Sequence, residues 1–255
     1  MSDIPAARNA LRILKFLAAK GRPTRAAHIG RDLGIPRSST YHLLNVLLDE
    51  GFLVHFPEAR EYGLSSLLTE LGSLSPGSDT VQMLATPIIR RYTTREKLPV
   101  VAFVGVLHGT DIKYVAKEVG PRAPTVVGGV GIQLPAHLTA TGRALLAGFS
   151  RRQILALYPN RESFFSRTKL GPGNFHDFTT ILEETRQRGW ALEASEIAEG
   201  LASVGAVATD HNEQPAAAIG FTFRTDDIPE ARWPDLASAA IEMSGELSKR
   251  LTGST

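Results

Sequence analysis

Between residues 36 and 47 the chain reads PRSSTYHLLNVL, and those residue types suit one kind of chemistry. Arg37, Ser38, Ser39, Tyr41, His42 and Asn45 are short, ring-bearing or cationic groups. They can donate and accept hydrogen bonds at base edges, or donate to phosphate oxygens. No carboxylate that would repel a polyanion occurs between Asp32 and Asp49. Thr40, Leu44 and Leu47 recur at helical spacing on the opposite side, so the polar residues share one outward face.

Such a face is useful only if neighbouring elements hold it out. The preceding residues predict two helices. Residues 6–20 carry an apolar stripe of Ala10, Ile13, Leu14 and Leu17, stopped by Gly21. Residues 25–33 place Ala26, Ile29 and Leu33 inward, with Thr24 as the expected cap and Gly34 as the expected left-handed stop. Pro36 suits the first turn of the third helix, 36–50, because its missing N–H would have no partner there. A helix, a four-residue turn and a second helix have helix-turn-helix spacing, in which the second helix enters the major groove. FLVHF and EYGL around PEAR then predict a hairpin, a wing with Arg60 at its tip beside Glu58 and Glu61.

The net charge of +2 hides an asymmetry. Residues 1–48 hold eight Lys and Arg against two acids, or +6, and the remainder carries −4. A basic end is the electrostatic footprint of nucleic-acid contact, although a basic face can also simply be solvated. With no cysteine, disulfides, thiolate metal sites and cysteine nucleophiles are excluded, and a cytoplasmic location is expected. Charges interrupt the first residues too early for a secretory signal, and no apolar run reaches the roughly 20 residues a membrane helix needs.

A short helix is expected at 65–75, with SPGS at 75–78 as a break. The expected division is therefore a winged helix-turn-helix at 1–68, a linker at 69–78 and a second domain at 79–255. In the second domain the pattern predicts helices at 79–97, 140–149, 150–158, 175–189 and 230–252. Strands are expected at 99–109, 111–119, 190–193, 201–209 and 215–223, with another short one in the Gly/Pro-rich loop 120–137. The fold class is α+β, the second domain a mixed sheet flanked by helices.

Three stretches in this order resemble the IclR family of transcription regulators. The first is RNALRILKFL, DLGIPRSSTYHLLNVLLDEGFL and EYGL. The others are QLPAHLTATGRALLAG (133–148) and RGWALEASEIAEGLASVGAVATDHNEQPAAAIGF (188–221). The resemblance spans nearly the whole chain. It implies a winged helix, a linker helix and a GAF-like effector domain. It also implies homodimers or dimers of dimers on palindromic double-stranded operators, repression as the commoner outcome, and a small acidic or aromatic effector. The DNA-binding set it supports is Arg25, Arg37, Ser38, Ser39, Tyr41, His42, Asn45 and Arg60. The effector-binding set is Leu134, His137, Ala140, Thr141, Glu193, Ser203, Gly220 and Thr222. Ala140 and Thr141 would offer backbone N–H groups at a helix N-terminus.

This chain departs from the family pattern in three places. Ser203 stands where a cysteine is usual, Glu193 is longer than the usual aspartate, and Gly220 lacks a side chain. Ser203 and Gly220 are both expected to leave space or alter polarity, so the pocket reads as suited to a bulkier or less acidic compound. Two alternatives stand beside the regulator: a DNA-binding protein without effector, and a GAF-like enzyme. For the latter, His137 with Glu193, Glu196 and Glu199 offers acid–base groups, but no nucleophile elbow or phosphate loop accompanies them. His108, His137, His176 and His211 are too dispersed to form a metal-ligand pattern, and no cofactor is expected.

Overall fold

A computed structural model describes residues 4–68 and 78–253. The chain divides into two compact units at Ser75/Pro76.

In the first unit, α1 (Pro5–Lys20) ends at Gly21, and α2 (Ala26–Leu33) ends at Gly34, both left-handed. α3 (Arg37–Asp49) follows Pro36. Ile13, Leu17, Ile29, Ile35, Leu44 and Leu47 form the core, as the apolar spacing predicts. The α2–α3 corner depends on two glycines. Gly34 has φ +67, which a side chain rarely tolerates, and Ile35 N–H returns to the Gly30 carbonyl at 2.8 Å. A Cβ on Gly30 would lie 2.7 Å from Thr40 Oγ1 and 3.1 Å from the Ile35 carbonyl, so only glycine lets the helices approach this closely.

The wing is β2 (Leu53–Phe56) antiparallel to β3 (Glu61–Leu64), with Arg60 at φ +54 in the turn between them. A third strand joins it. Thr24 and Arg25 form β1 and pair with Tyr62 and Glu61. Thr24 is therefore not the cap of α2. Its neighbour Arg25 holds that position without a side-chain cap bond, because pairing with the wing keeps Thr24 extended. Of the helix expected at 65–75 and the linker at 69–78, residues 69–77 lie outside the described residues.

The second unit is one six-stranded sheet in the order β6-β5-β4-β9-β8-β7. Its strands are β4 (Val100–His108), β5 (Asp111–Val119), β6 (Gln133–Pro135), β7 (Ala191–Ala194), β8 (Leu201–Thr209) and β9 (Pro215–Arg224). The class is α+β as expected, but every pair in this sheet is antiparallel where a mixed sheet was expected. Tight turns close β4–β5 and β8–β9 as hairpins. The helical segment 140–188 carries the chain from β6 at one edge of the sheet to β7 at the other, so no parallel neighbours arise.

Both faces of the sheet are covered. α4 (Ser78–Glu96) and α8 (Trp233–Leu251) pack on Ala102, Val104, Val204, Phe221 and Phe223. On the other face, α5 (Ala140–Ala147), α6 (Arg151–Leu157) and α7 (Phe175–Arg188) share a core with Val101, Phe103 and Ala218. Burial on both faces explains why PVVAFVGV reads as an unbroken apolar run.

Candidate nucleic-acid interface and ligand cavity

All eight expected DNA-binding residues are exposed. Arg37, Ser38, Ser39, Tyr41, His42 and Asn45 lie on the outer side of α3, opposite buried Thr40, Leu44 and Leu47. Thr40 Oγ1 donates to the Pro36 carbonyl at 3.1 Å, which fixes the start of the helix from inside. Arg25 and Arg60 belong to the wing, and Arg25 Nε is 4.0 Å from Glu61 across the β1–β3 pair. The basic surplus is partly structural. Arg12 donates to the Leu33 carbonyl at 2.9 Å, where α2 leaves its last acceptors open, while Lys20 and Arg31 both approach Asp32.

In the second unit seven of the eight expected effector residues line one cavity: Leu134, Ala140, Thr141, Glu193, Ser203, Gly220 and Thr222. The space is about 480 Å³ counted out to its mouth. Its polar end is a rung of the sheet. Glu193 pairs with Ser203 and Ser203 with Thr222, whose hydroxyls lie 3.0 Å apart. Glu193 Oε1 accepts from the N–H groups of Glu196 (2.8 Å) and Ile197 (3.2 Å). Burial raises the Glu193 carboxyl above its ordinary range, and those N–H bonds pull it partly back.

The N-terminus of α5 lies at the same end, with Thr139, Ala140 and Thr141 on the cavity lining. Thr139 caps it, its Oγ1 accepting from Gly142 N–H at 3.1 Å, and the Arg143 N–H goes to the Thr139 carbonyl. Ala140 and Thr141 are left with no helical acceptor. Thr141 Oγ1 is buried without a hydrogen-bond partner. The Tyr114 phenol faces it closely enough to influence its own ionisation, yet no bond of good geometry joins the two. Burial pushes that phenol up to about 12.

Gly220 does not leave ligand space. A Cβ there would meet the Val204 carbonyl at 2.7 Å and Thr141 Cγ2 at 2.8 Å. Its cross-strand partner Gly205 would meet Ala140 C at 2.9 Å and Thr141 N at 3.0 Å. The two glycines form the seat of α5, and the gap in the sequence pattern is filled by the helix itself.

His137 is not among the cavity-lining residues. It is buried in a ring cluster with Tyr158, Phe164, Phe165 and Phe178, and its Nε2 lies 3.1 Å from the Phe165 carbonyl. That burial lowers its pKa. Sequence reasoning missed the apolar walls, chiefly Phe103, Tyr114, Val126 and Ile197. Phe103 and Tyr114 are stacked at 4.4 Å across neighbouring strands, and the shared inward face of such strands was the available signal.

Fold and sites together define a two-part regulator, a winged helix-turn-helix and an α+β unit around a polar-ended cavity. Comparison with known proteins agrees. Residues 6–55 match the IclR helix-turn-helix domain, and residues 80–249 match the domain described as bacterial transcriptional regulator IclR C-terminal. The glycerol operon regulatory protein of Streptomyces coelicolor is 27% identical over 252 residues, 98% of this chain and 97% of that protein. The transcriptional repressor IclR of Escherichia coli is 24% identical over 245 residues, 93% of this chain and 86% of that one. The crystal structure of Thermotoga maritima IclR superposes with a TM-score of 0.62 at 20% identity, covering 98% of this chain and 99% of that one. The chain belongs to the IclR family of bacterial transcription regulators. It is a DNA-binding regulator whose C-terminal domain is of the effector-binding type. Among the described residues no helix is long and apolar enough to cross a membrane.

Proposed function

We propose that this regulator represses transcription by holding a palindromic operator through two or four copies of α3, and that a small molecule in the cavity of the second unit changes its operator affinity. The observation that carries the DNA half is the outward face of α3, where six hydrogen-bonding side chains stand exposed over a buried Thr40–Leu44–Leu47 stripe. A single winged helix makes few base contacts, each good pair worth about 1–3 kcal/mol of discrimination. Two linked copies on a palindrome add their contacts through effective concentration. The ligand half rests on the cavity, where one polar end collects Glu193, Thr141, Ser203 and Thr222. A ligand shifts operator affinity only by binding the two states of the protein unequally, and the coupling is reciprocal. On this reading the protein regulates and does not catalyse, His137 being a packing residue, and it works in the cytoplasm beside its operator.

The experiment is a gel shift on the regulator's own upstream region with the Arg37→Ala/Tyr41→Ala protein. Two lost contacts should weaken retention by at least tenfold with an unchanged melting curve. Wild-type retention by that double variant would rule α3 out as the reading element.

A further inference from the structure

Resting on the reading of the cavity as the ligand site, we infer that its ligand is an uncharged molecule presenting a hydroxyl group to Glu193 and Thr141 from an apolar body. The polar end holds one carboxyl and four side-chain hydroxyls, those of Tyr114, Thr141, Ser203 and Thr222, beside the capping Thr139. Among the described residues no Lys, Arg or His side chain lines the cavity.

The nearby cations are committed elsewhere. Arg143, 2% exposed, donates from Nε to the His137 carbonyl at 2.8 Å and from Nη1 to the Leu192 carbonyl at 2.7 Å. Its two terminal nitrogens also clasp both carboxylate oxygens of Glu196, a self-neutralised pair. Lys117 donates to the Gly128 carbonyl at 2.8 Å, its amine above the Phe103 ring.

This arrangement discriminates by charge. A ligand carboxylate would be buried with the Glu193 carboxyl, with only the partial positive charge of the α5 N-terminus to offset it. An ammonium group would suit Glu193 but would press against that same positive helix end. A hydroxyl satisfies both, because it donates one hydrogen bond and accepts others. Its proton goes to the Glu193 carboxyl. Its lone pairs take the N–H groups of Ala140 and Thr141, or the Thr141 O–H. This also gives the buried, unpartnered Oγ1 of Thr141, a residue 4% exposed, the partner that a buried hydroxyl requires. Phe103, Val126, Leu134 and Ile197 supply an apolar wall for the rest of the molecule.

The test uses the full chain and two near-isosteric sets at pH 8: benzyl alcohol, benzoate and benzylamine, then 3-methylbutan-1-ol, 3-methylbutanoate and 3-methylbutylamine. Binding is measured by saturation-transfer NMR and titration calorimetry. The alcohol of at least one set should bind at least tenfold tighter than its charged partners. Thr141→Val should weaken it about tenfold, and Thr222→Leu, which narrows the cavity, should abolish it. Leu134→Trp serves as a second filling variant, and melting curves confirm that each protein is folded. Tighter binding of a carboxylate or an amine, abolished by the filling variants, would leave the ligand site standing and overturn the uncharged class. Alcohol binding unchanged by Thr141→Val would overturn the role of that hydroxyl. No binding sensitive to the filling variants would overturn both, leaving a water-filled packing gap.

Discussion

Gly205→Ala tests whether the helix that opens the cavity is seated on bare backbone. The added methyl would lie 2.9 Å from Ala140 C, 3.0 Å from Ala140 O and 3.0 Å from Thr141 N. These are backbone atoms of α5, which cannot rotate away as a side-chain tip can. An alanine in a strand normally gains about 0.5–1 kcal/mol over glycine through the unfolded chain. Overpacking a close contact costs about 1–3 kcal/mol. The net expectation is a loss of about 1–2 kcal/mol, a fall in melting temperature of roughly 2–8 °C for a domain of this size. The control is Gly245→Ala inside α8, where a Cβ meets nothing within 4 Å. That substitution should raise stability by up to about 1 kcal/mol through helix propensity. Both variants are compared by urea and thermal unfolding followed by circular dichroism. A Gly205→Ala protein as stable as wild type, alongside a stabilised Gly245→Ala protein, would refute the seating argument.

Other expectations concern charge. Arg143→Met leaves the Glu196 carboxylate buried without its partner and should cost about 3–5 kcal/mol in urea unfolding, whereas Arg143→Met/Glu196→Met should cost less; a double variant worse than the single would contradict this. Burial raises Glu193, so the folded chain keeps a proton that the unfolded chain has lost. The favourable contribution is present at low pH and disappears as pH rises through the folded value. Glu193→Gln, which can still accept from the Glu196 and Ile197 N–H groups, should therefore gain on wild type as pH climbs from about 5 to about 8, and parallel stability profiles would argue against it. In operator binding, Arg37→Ala should reduce the slope of log affinity against log salt by about 1. Arg25→Ala should change it less because Glu61 already faces that guanidinium; equal slopes for the two variants would discount the ion pair.

The helix-turn-helix was legible because its signals are local. The apolar spacing of Ile13, Leu17, Leu44 and Leu47, the stop at Gly34 and the start at Pro36 each act within a turn or two of chain. The fold of the second unit and most of its cavity were reached through stretches resembling a known family, which marked Thr141, Glu193, Ser203 and Thr222. Contacts between distant segments were not legible. Thr24 looks like a cap until the wing claims it as a strand, and the +6 of residues 1–48 looks uncommitted until Arg12, Lys20 and Arg31 find partners. Gly220 reads as a void until α5 fills it, and His137 reads as a pocket residue until four aromatic rings enclose it. The physical reason is common to these cases. Residue type and spacing encode which side of an element avoids water, but what a side chain meets there depends on strand register and helix docking over many tens of residues, and only packing in three dimensions fixes that.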